Sequence, residues 1–298
     1  MNELYNACTL CPRKCHINRN LTTGVCNNTS SIKVARSALH YFEEPSISGS
    51  NGSGTIFFSG CNLKCCYCQN KEISTNNFGI NISIKRLSEL MLDLQSKKAN
   101  NINLVTPTHF VPSIIEAIKL ARRNGLTIPI VYNTSGYESV DTIKLLDGYV
   151  DIYLTDFKYF DNKLGEDLSK VKNYFEVAST ALDEMYKQVS KNKFSSNGLM
   201  TTGIIVRCLV LPTKGNDTKK IINYLYQKYQ DNIYLSIMNQ YTPVTTNTSF
   251  PFLNSKVSEE EYDDIIDYAL DLGVKNAYIQ EGDTSDESFI PPFDLEGL

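Results

Sequence analysis

The chain has 298 residues, enough to bury a large core, and its 42% hydrophobic and 21% charged content is ordinary for a globular protein. A net charge of −4 gives no electrostatic footprint for nucleic acid or an anionic membrane, so neither is expected as a partner. The first residues show no basic-then-apolar leader and no apolar run is long enough to cross a bilayer, so a cytoplasmic location is expected, where thiols stay reduced.

Residues 1–50 have no helical or strand rhythm and read as an appended cysteine-rich, metal-binding arm. Within it, Cys8-x2-Cys11-x3-Cys15-x10-Cys26 supplies four thiols, with Pro12 and Gly24 as turns that fold the loop onto one centre. Arg13 and Lys14 would offset the charge of four thiolates. The pattern suits tetrahedral zinc or a fully ligated iron–sulfur cluster, and the residues do not choose between them. The glycine-rich stretch 49–54 lacks a Gly-Lys-Ser/Thr ending and precedes a strand, so it is read as a linker and not a phosphate loop.

Residues 51–298 alternate short apolar strands with amphipathic helices. The predicted strands are 55–59, 103–106, 128–132, 150–155, 204–211, 232–238 and 277–280, with helices over 140–146, 174–190 and 217–229. Ile84, Leu87, Leu90, Met91 and Leu94 fall on one helical face, and Pro112 opens the next helix. Residues 191–198 read as a loop or hairpin tip. Ser258 with Glu261 forms a capping box for a last helix that Gly273 ends. This alternation predicts an α/β fold, a partial (β/α)6-type open TIM-like barrel, in which chemistry collects at the carboxyl ends of the strands. The polar residues just after the predicted strands lie on that rim: Cys61, Thr108 and His109, Asn133 to Ser135, Asp156 and Lys158, Asn239 to Tyr241, and Gln280-Glu281.

Four of the nine cysteines crowd one loop, in Phe57-Phe58-Ser59-Gly60-Cys61-Asn62-Leu63-Lys64-Cys65-Cys66-Tyr67-Cys68. A tight loop spaced Cys61-x3-Cys65-x2-Cys68 can wrap a four-iron cubane with three thiolates and leave one iron open, with Cys66 pointing away. A structural zinc loop and a chance thiol cluster are the alternatives. That spacing behind a strand, with Tyr67 before the last cysteine, resembles the radical S-adenosylmethionine (SAM) superfamily over residues 55–281. The nearest resemblance is to the pyruvate formate-lyase activating enzymes and the glycyl-radical-activating proteins like them.

The resemblance implies a 4Fe-4S cluster on Cys61, Cys65 and Cys68. It also implies SAM chelated to the open iron, and reductive cleavage to methionine and a 5′-deoxyadenosyl radical that abstracts hydrogen. It implies SAM-binding roles for Tyr67, Thr108, His109, Asn133, Thr134, Ser135, Asp156, Lys158, Arg207 and Gln240. Lys158 would face the SAM carboxylate. Thr106-Pro107-Thr108-His109 departs from the family's Gly-Gly-Glu, and His109 is equally well read as a structural histidine. Asp156 and Thr134 are candidates for a monovalent cation site beside SAM, although Asn133 replaces an acidic residue there. Implied partners are a protein or peptide substrate and a one-electron donor such as flavodoxin or ferredoxin. Two other readings stand beside this one: a radical SAM enzyme acting on a small molecule, and a non-catalytic electron-transfer protein with two cysteine centres. Cys208, in an apolar strand, reads as a buried small residue.

Overall fold

The sheet is built from apolar runs buried on both faces, as parallel strands covered by helices must be. The computed structural model describes residues 2–243, 246–280 and 291–298. Its strands are β1 (Ile32–His40), β2 (Ser53–Phe58), β3 (Ile80–Ile82), β4 (Ile102–Val105), β5 (Ile130–Thr134), β6 (Ile152–Asp156), β7 (Lys193–Phe194), β8 (Met200–Leu209), β9 (Tyr234–Met238) and β10 (Ala277–Ile279). Every residue of β2, β4 and β5 is buried.

The strand order is β3-β1-β2-β4-β5-β6-β8-β9-β10. From β2 to β10 all neighbours are parallel, while β1 runs antiparallel to both β2 and β3. Among the described residues β3 and β10 do not pair, so the barrel stays open, as the alternation predicts. The polar stretch 191–198 is the expected hairpin tip, with β7 antiparallel to β8.

The helices are α1 (Pro45–Ser48), α2 (Lys71–Ser74), α3 (Ile84–Ser96), α4 (Val111–Arg123), α5 (Val140–Leu145), α6 (Asn162–Ser169), α7 (Tyr174–Gln188), α8 (Gly215–Tyr229) and α9 (Glu259–Leu272). In α3 the stripe Leu87, Leu90, Met91 and Leu94 is buried, and the Ser83 hydroxyl caps the helix by accepting from the Arg86 amide. At α9, Ser258 Oγ accepts from the Glu261 amide at 3.1 Å. The Glu261 carboxylate is used elsewhere: it accepts from the amides of Thr213 and Gly215 at the start of α8. One residue thus serves two helix N-termini, where carboxylates are favoured.

A boundary at residue 50 does not coincide with a break in the sheet. Residues 32–40, placed with the arm by sequence, form β1 and pair along β2 from Val34 to His40. The C-terminal segment 291–298 closes over the same strand, with Arg36 donating to Asp294 at 2.7 Å and Ser37 N to Glu296 O at 2.9 Å. Glu281, expected on the rim, lies outside the described residues. Among the described residues no helix is long and apolar enough to cross a membrane.

Candidate active site at the carboxyl rim of the sheet

Strand β2 delivers the chain to the rim at Phe58, and the loop that follows is held from both sides. Gly60 adopts φ +81°, and a Cβ there would stand 2.2 Å from Cys26 O and 2.0 Å from Asn28 Nδ2, so only glycine fits the turn. The amides of Lys64 and Cys66 donate to the carbonyls of Ser169 and Leu168 at the end of α6, at 3.0 and 2.8 Å. This anchoring gives each thiol its own surroundings. Cys65 Sγ lies 2.9 Å from Ser169 Oγ, Cys68 Sγ lies 3.2 Å from Ser74 Oγ, and Cys61 Sγ accepts from the Leu63 amide at 3.4 Å. Cys65 and Cys68 line a cavity of about 230 Å³. Neither Cys61 nor Cys66 lines the cavity; Cys61 is within electrostatic reach of both Cys65 and Cys68.

Burial, reinforced by Cys65 and Cys68, pushes the Cys61 thiol up to about 12. Burial likewise pushes Cys65 up to about 11, against the pull of Lys158. Such thiols stay protonated at neutral pH unless a metal ionises them. Among the described residues no three His, Cys, Asp or Glu side chains converge as a single metal ion would require. Three soft donors spread around a loop fit a larger body, such as a four-iron cubane.

The cavity's other wall is a polar network drawn from four strand ends. Arg207 of β8 donates through Nε to Asp156 Oδ1 at 2.8 Å and through Nη2 to Asn133 Oδ1 at 2.6 Å. Its Nη1 lies 3.4 Å from Glu43 Oε2. Lys158 Nζ pairs with Asp156 Oδ2 at 2.6 Å. Asn103 and Asn133 both donate to Glu43 Oε1, at 3.0 and 3.2 Å. Burial alone would raise the Asp156 carboxyl, but Arg207 and Lys158 hold it below its ordinary value. The Glu43 carboxyl goes the other way, raised by burial despite Arg207. Beside it, burial pushes Glu44 up to about 7. Two cations facing a carboxylate pair and two amides make a surface suited to a zwitterion.

Of the residues predicted for SAM, Tyr67, Asn133, Asp156, Lys158, Arg207 and Gln240 line this cavity with Cys65 and Cys68. Tyr67 Oη meets Tyr159 Oη at 2.5 Å, and Tyr159 passes on to Ser169 Oγ at 2.6 Å. Gln240 accepts through its carbonyl from Gln69 Nε2 at 3.0 Å. Thr108, His109, Thr134 and Ser135 do not line it. Thr108 and Thr134 donate to the buried Glu138 carboxylate, Thr108 at 2.5 Å. His109 Nε2 lies 2.8 Å from Ser59 O, and burial followed by Arg19 holds its imidazole down at about 3, so it is a neutral structural histidine. The Ser135 carbonyl accepts from Tyr174 Oη at 2.8 Å. Thr134 and Asp156, considered together for a monovalent cation, therefore serve different networks, and both Asp156 oxygens are already taken by cations.

Sequence reasoning missed His40, Phe42 and Glu43, which reach the cavity from the end of β1. The signal available was the aromatic and acidic run Tyr41-Phe42-Glu43-Glu44 in a stretch otherwise read as part of the cysteine-rich arm. Cys208 is buried in β8, as expected of a small core residue.

The fold is an open barrel with a parallel sheet, a thiol loop on its first parallel strand and a charged cavity at the carboxyl rim. The signature of the Radical SAM superfamily spans residues 55–205, which covers that loop and the strands from β2 into β8. The chain belongs to the radical SAM superfamily, which pairs a 4Fe-4S cluster with SAM. A relative in Methanocaldococcus jannaschii, uncharacterized protein MJ0674, is 33% identical over 282 residues, covering 92% of this chain and 76% of that protein. Among solved structures, Streptococcus suis SuiB bound to S-adenosylmethionine superposes with a TM-score of 0.48 at 13% identity, over 74% of this chain and 48% of SuiB. HydG, a maturase of the [FeFe]-hydrogenase, gives a TM-score of 0.49 at 13% identity, over 72% of this chain and 48% of HydG. The chain spans about half the length of these two structures.

Proposed function

We propose that Cys61, Cys65 and Cys68 ligate the 4Fe-4S cluster, that the adjoining cavity binds SAM, and that the substrate is a peptide segment of a protein, in the manner of the glycyl-radical activators. When bound, the cluster and SAM supply the reductive cleavage that generates a 5′-deoxyadenosyl radical. Lys158 and Arg207 would bind the carboxylate end of SAM, held in place by Asp156 and Asn133, because these groups line the cavity beside Cys65 and Cys68. Tyr67 and Tyr241 pack edge to face at 6.1 Å in the cavity lining and would offer apolar surface to the adenosine.

The observation that carries the substrate class is the shape of the mouth. A second cavity of about 170 Å³ shares His40, Phe42, Phe57 and Pro291 with the first and continues along β1 past Arg36 and Tyr41. Tyr41 is 51% and Phe42 60% exposed there. A groove with partly exposed aromatic residues along β1 that opens onto the first cavity suits an extended peptide.

Anaerobically reconstituted protein, reduced with dithionite in the presence of SAM, should yield 5′-deoxyadenosine and methionine. Cys61→Ala, Cys65→Ala and Cys68→Ala should each abolish that yield and Cys66→Ala should not; equal yields from Cys61→Ala and wild type would end the assignment. For the substrate, a glycyl-radical electron paramagnetic resonance signal in a partner polypeptide is the expected outcome. Tyr41→Ser, at a residue that lines only the second cavity, should raise the KM for that partner about tenfold while leaving substrate-free SAM cleavage intact. Turnover of a small metabolite, insensitive to Tyr41→Ser, would replace the peptide reading.

A further inference from the structure

We propose that Cys8, Cys11, Cys15 and Cys26 hold a second, fully ligated and negatively charged iron–sulfur cluster whose buried counter-ion is Arg19. The inference rests on the preceding reading only in taking Cys61, Cys65 and Cys68 as the first centre.

The arm that carries these cysteines lacks the means to hold itself folded. Before β1 its regular structure is a single 3-10 turn, Asn2–Tyr5, and its own apolar cluster is Tyr5, Cys8 and Leu10 with Leu4 against it. Small metal-binding units of this kind draw their folding energy from the metal. The thiols are gathered accordingly. A Cβ on Gly24 would lie 3.4 Å from Cys15 Sγ and 3.7 Å from Cys26 Sγ, so the glycine leaves room between two of them. The backbone folds Cys8 onto both Ile17 and His16, at 2.9 and 3.0 Å.

Arg19 supplies the second, independent observation. Its side chain is among the largest fully buried ones, 1% exposed. Its guanidinium donates to the carbonyls of Asn28, Thr29 and His109 at 3.0, 2.6 and 2.6 Å and lies over the Tyr5 ring at 5.2 Å. Those partners are neutral, and among the described residues no carboxylate pairs with it. A buried cation without an anion is strongly unfavourable. The candidate anion is the thiol centre itself, since Arg19 Nη1 is 3.9 Å from Cys8 Sγ. Neutral thiols would leave the charge uncompensated, whereas four thiolates around a cluster carry a net negative charge.

The breadth of the site selects the cluster over a single ion. Zinc holds its sulfurs about 2.3 Å from the metal, which brings the thiolates nearly into contact with one another. No three of the arm's cysteines converge to that degree, and the same is true of Cys61, Cys65 and Cys68, where the family uses a four-iron cluster. The two thiol sets are also neighbours. Cys26 O and Asn28 press on Gly60, and Arg13 Nε donates to Asn62 O at 2.9 Å, so the arm grips both residues that flank Cys61. The arm therefore packs directly on the loop that carries Cys61.

The test is iron, sulfide and zinc analysis of anaerobically reconstituted full-length protein. Wild type should carry about eight irons and no stoichiometric zinc, and Cys61→Ala/Cys65→Ala/Cys68→Ala about four irons with matching sulfide. One zinc in place of four irons in that variant, or four irons plus one zinc in wild type, overturns the proposal. The wild-type count decides the matter if the triple variant does not fold. Loss of SAM cleavage in wild type with the arm's irons retained in the triple variant would sink the earlier reading alone. Reduced wild type should show two magnetically interacting spins. Arg19→Gln should lose at least half of the arm's iron while Arg19→Lys keeps it; equal retention in both removes Arg19 as the counter-ion.

Discussion

Ser169 Oγ lies 2.9 Å from Cys65 Sγ and closes a hydroxyl chain that runs through Tyr159 to Tyr67. A hydrogen bond to a cluster-ligating sulfur withdraws charge from it and eases reduction. With Cys65 ligating the cluster as proposed, Ser169→Ala should lower the cluster's midpoint potential, and Tyr159→Phe should lower it by less. Redox titration followed by electron paramagnetic resonance measures both. An unchanged potential in Ser169→Ala would mean that the hydroxyl points its proton elsewhere.

Arg207 binds Asp156, Asn133 and Glu43 at once from a largely buried position. Arg207→Leu leaves two carboxylates facing each other without that cation, and should cost about 3 kcal/mol of stability. Adding Glu43→Gln should recover part of the loss. Denaturant unfolding of the two variants under anaerobic conditions reads the difference.

Glu138 gives the pH dependence a sign. Its carboxyl is pushed up to about 7 by burial, against hydrogen bonds from Thr108, Thr134 and Tyr132. Between the unfolded value near 4.5 and the folded value, the folded state binds the extra proton, so stability falls as pH rises through that window and levels off above it. Glu138→Gln should remove this fall and be the more stable protein above pH 7, by on the order of 3 kcal/mol. Thermal unfolding midpoints from pH 5 to 8 check the slope, and parallel curves for the two proteins would refute it.

Gly60→Ala forces a methyl group into Cys26 O and Asn28 from a left-handed backbone position. The arm should be displaced at a cost of about 2 kcal/mol. Faster limited proteolysis within residues 1–31 is the readout, and wild-type protection would show that the contact yields without loss.

Much of the site could be read from the chain because its residues sit at fixed places in repeated units. Asp156 ends β6, Lys158 follows it and Arg207 lies within β8 beside Asp156, so parallel neighbours bring them together. Thr108 and His109 stand on an equivalent strand end yet turn inward. Thr106 takes a left-handed conformation, φ 58°, and a 3-10 turn over Thr108–Phe110 follows, so the side chains are aimed by a local turn that periodicity does not encode. Glu43 was illegible for a different reason. It enters the network across the sheet from the antiparallel β1, whose pairing with β2 has no counterpart in the repeating unit.

That crossing of Glu43 has a consequence for how the chain can be divided. A fragment beginning at residue 51 would keep every predicted barrel element, yet it would lack β1, the Phe42 edge of the cavity and one of the carboxylates that face Arg207. Asn103 and Asn133 would lose their common acceptor. A fragment that keeps the rim's charge network must therefore include β1 from Ile32, and a protease cut between Phe42 and Ser53 should unfasten the rim's electrostatics while leaving its cysteine loop covalently whole.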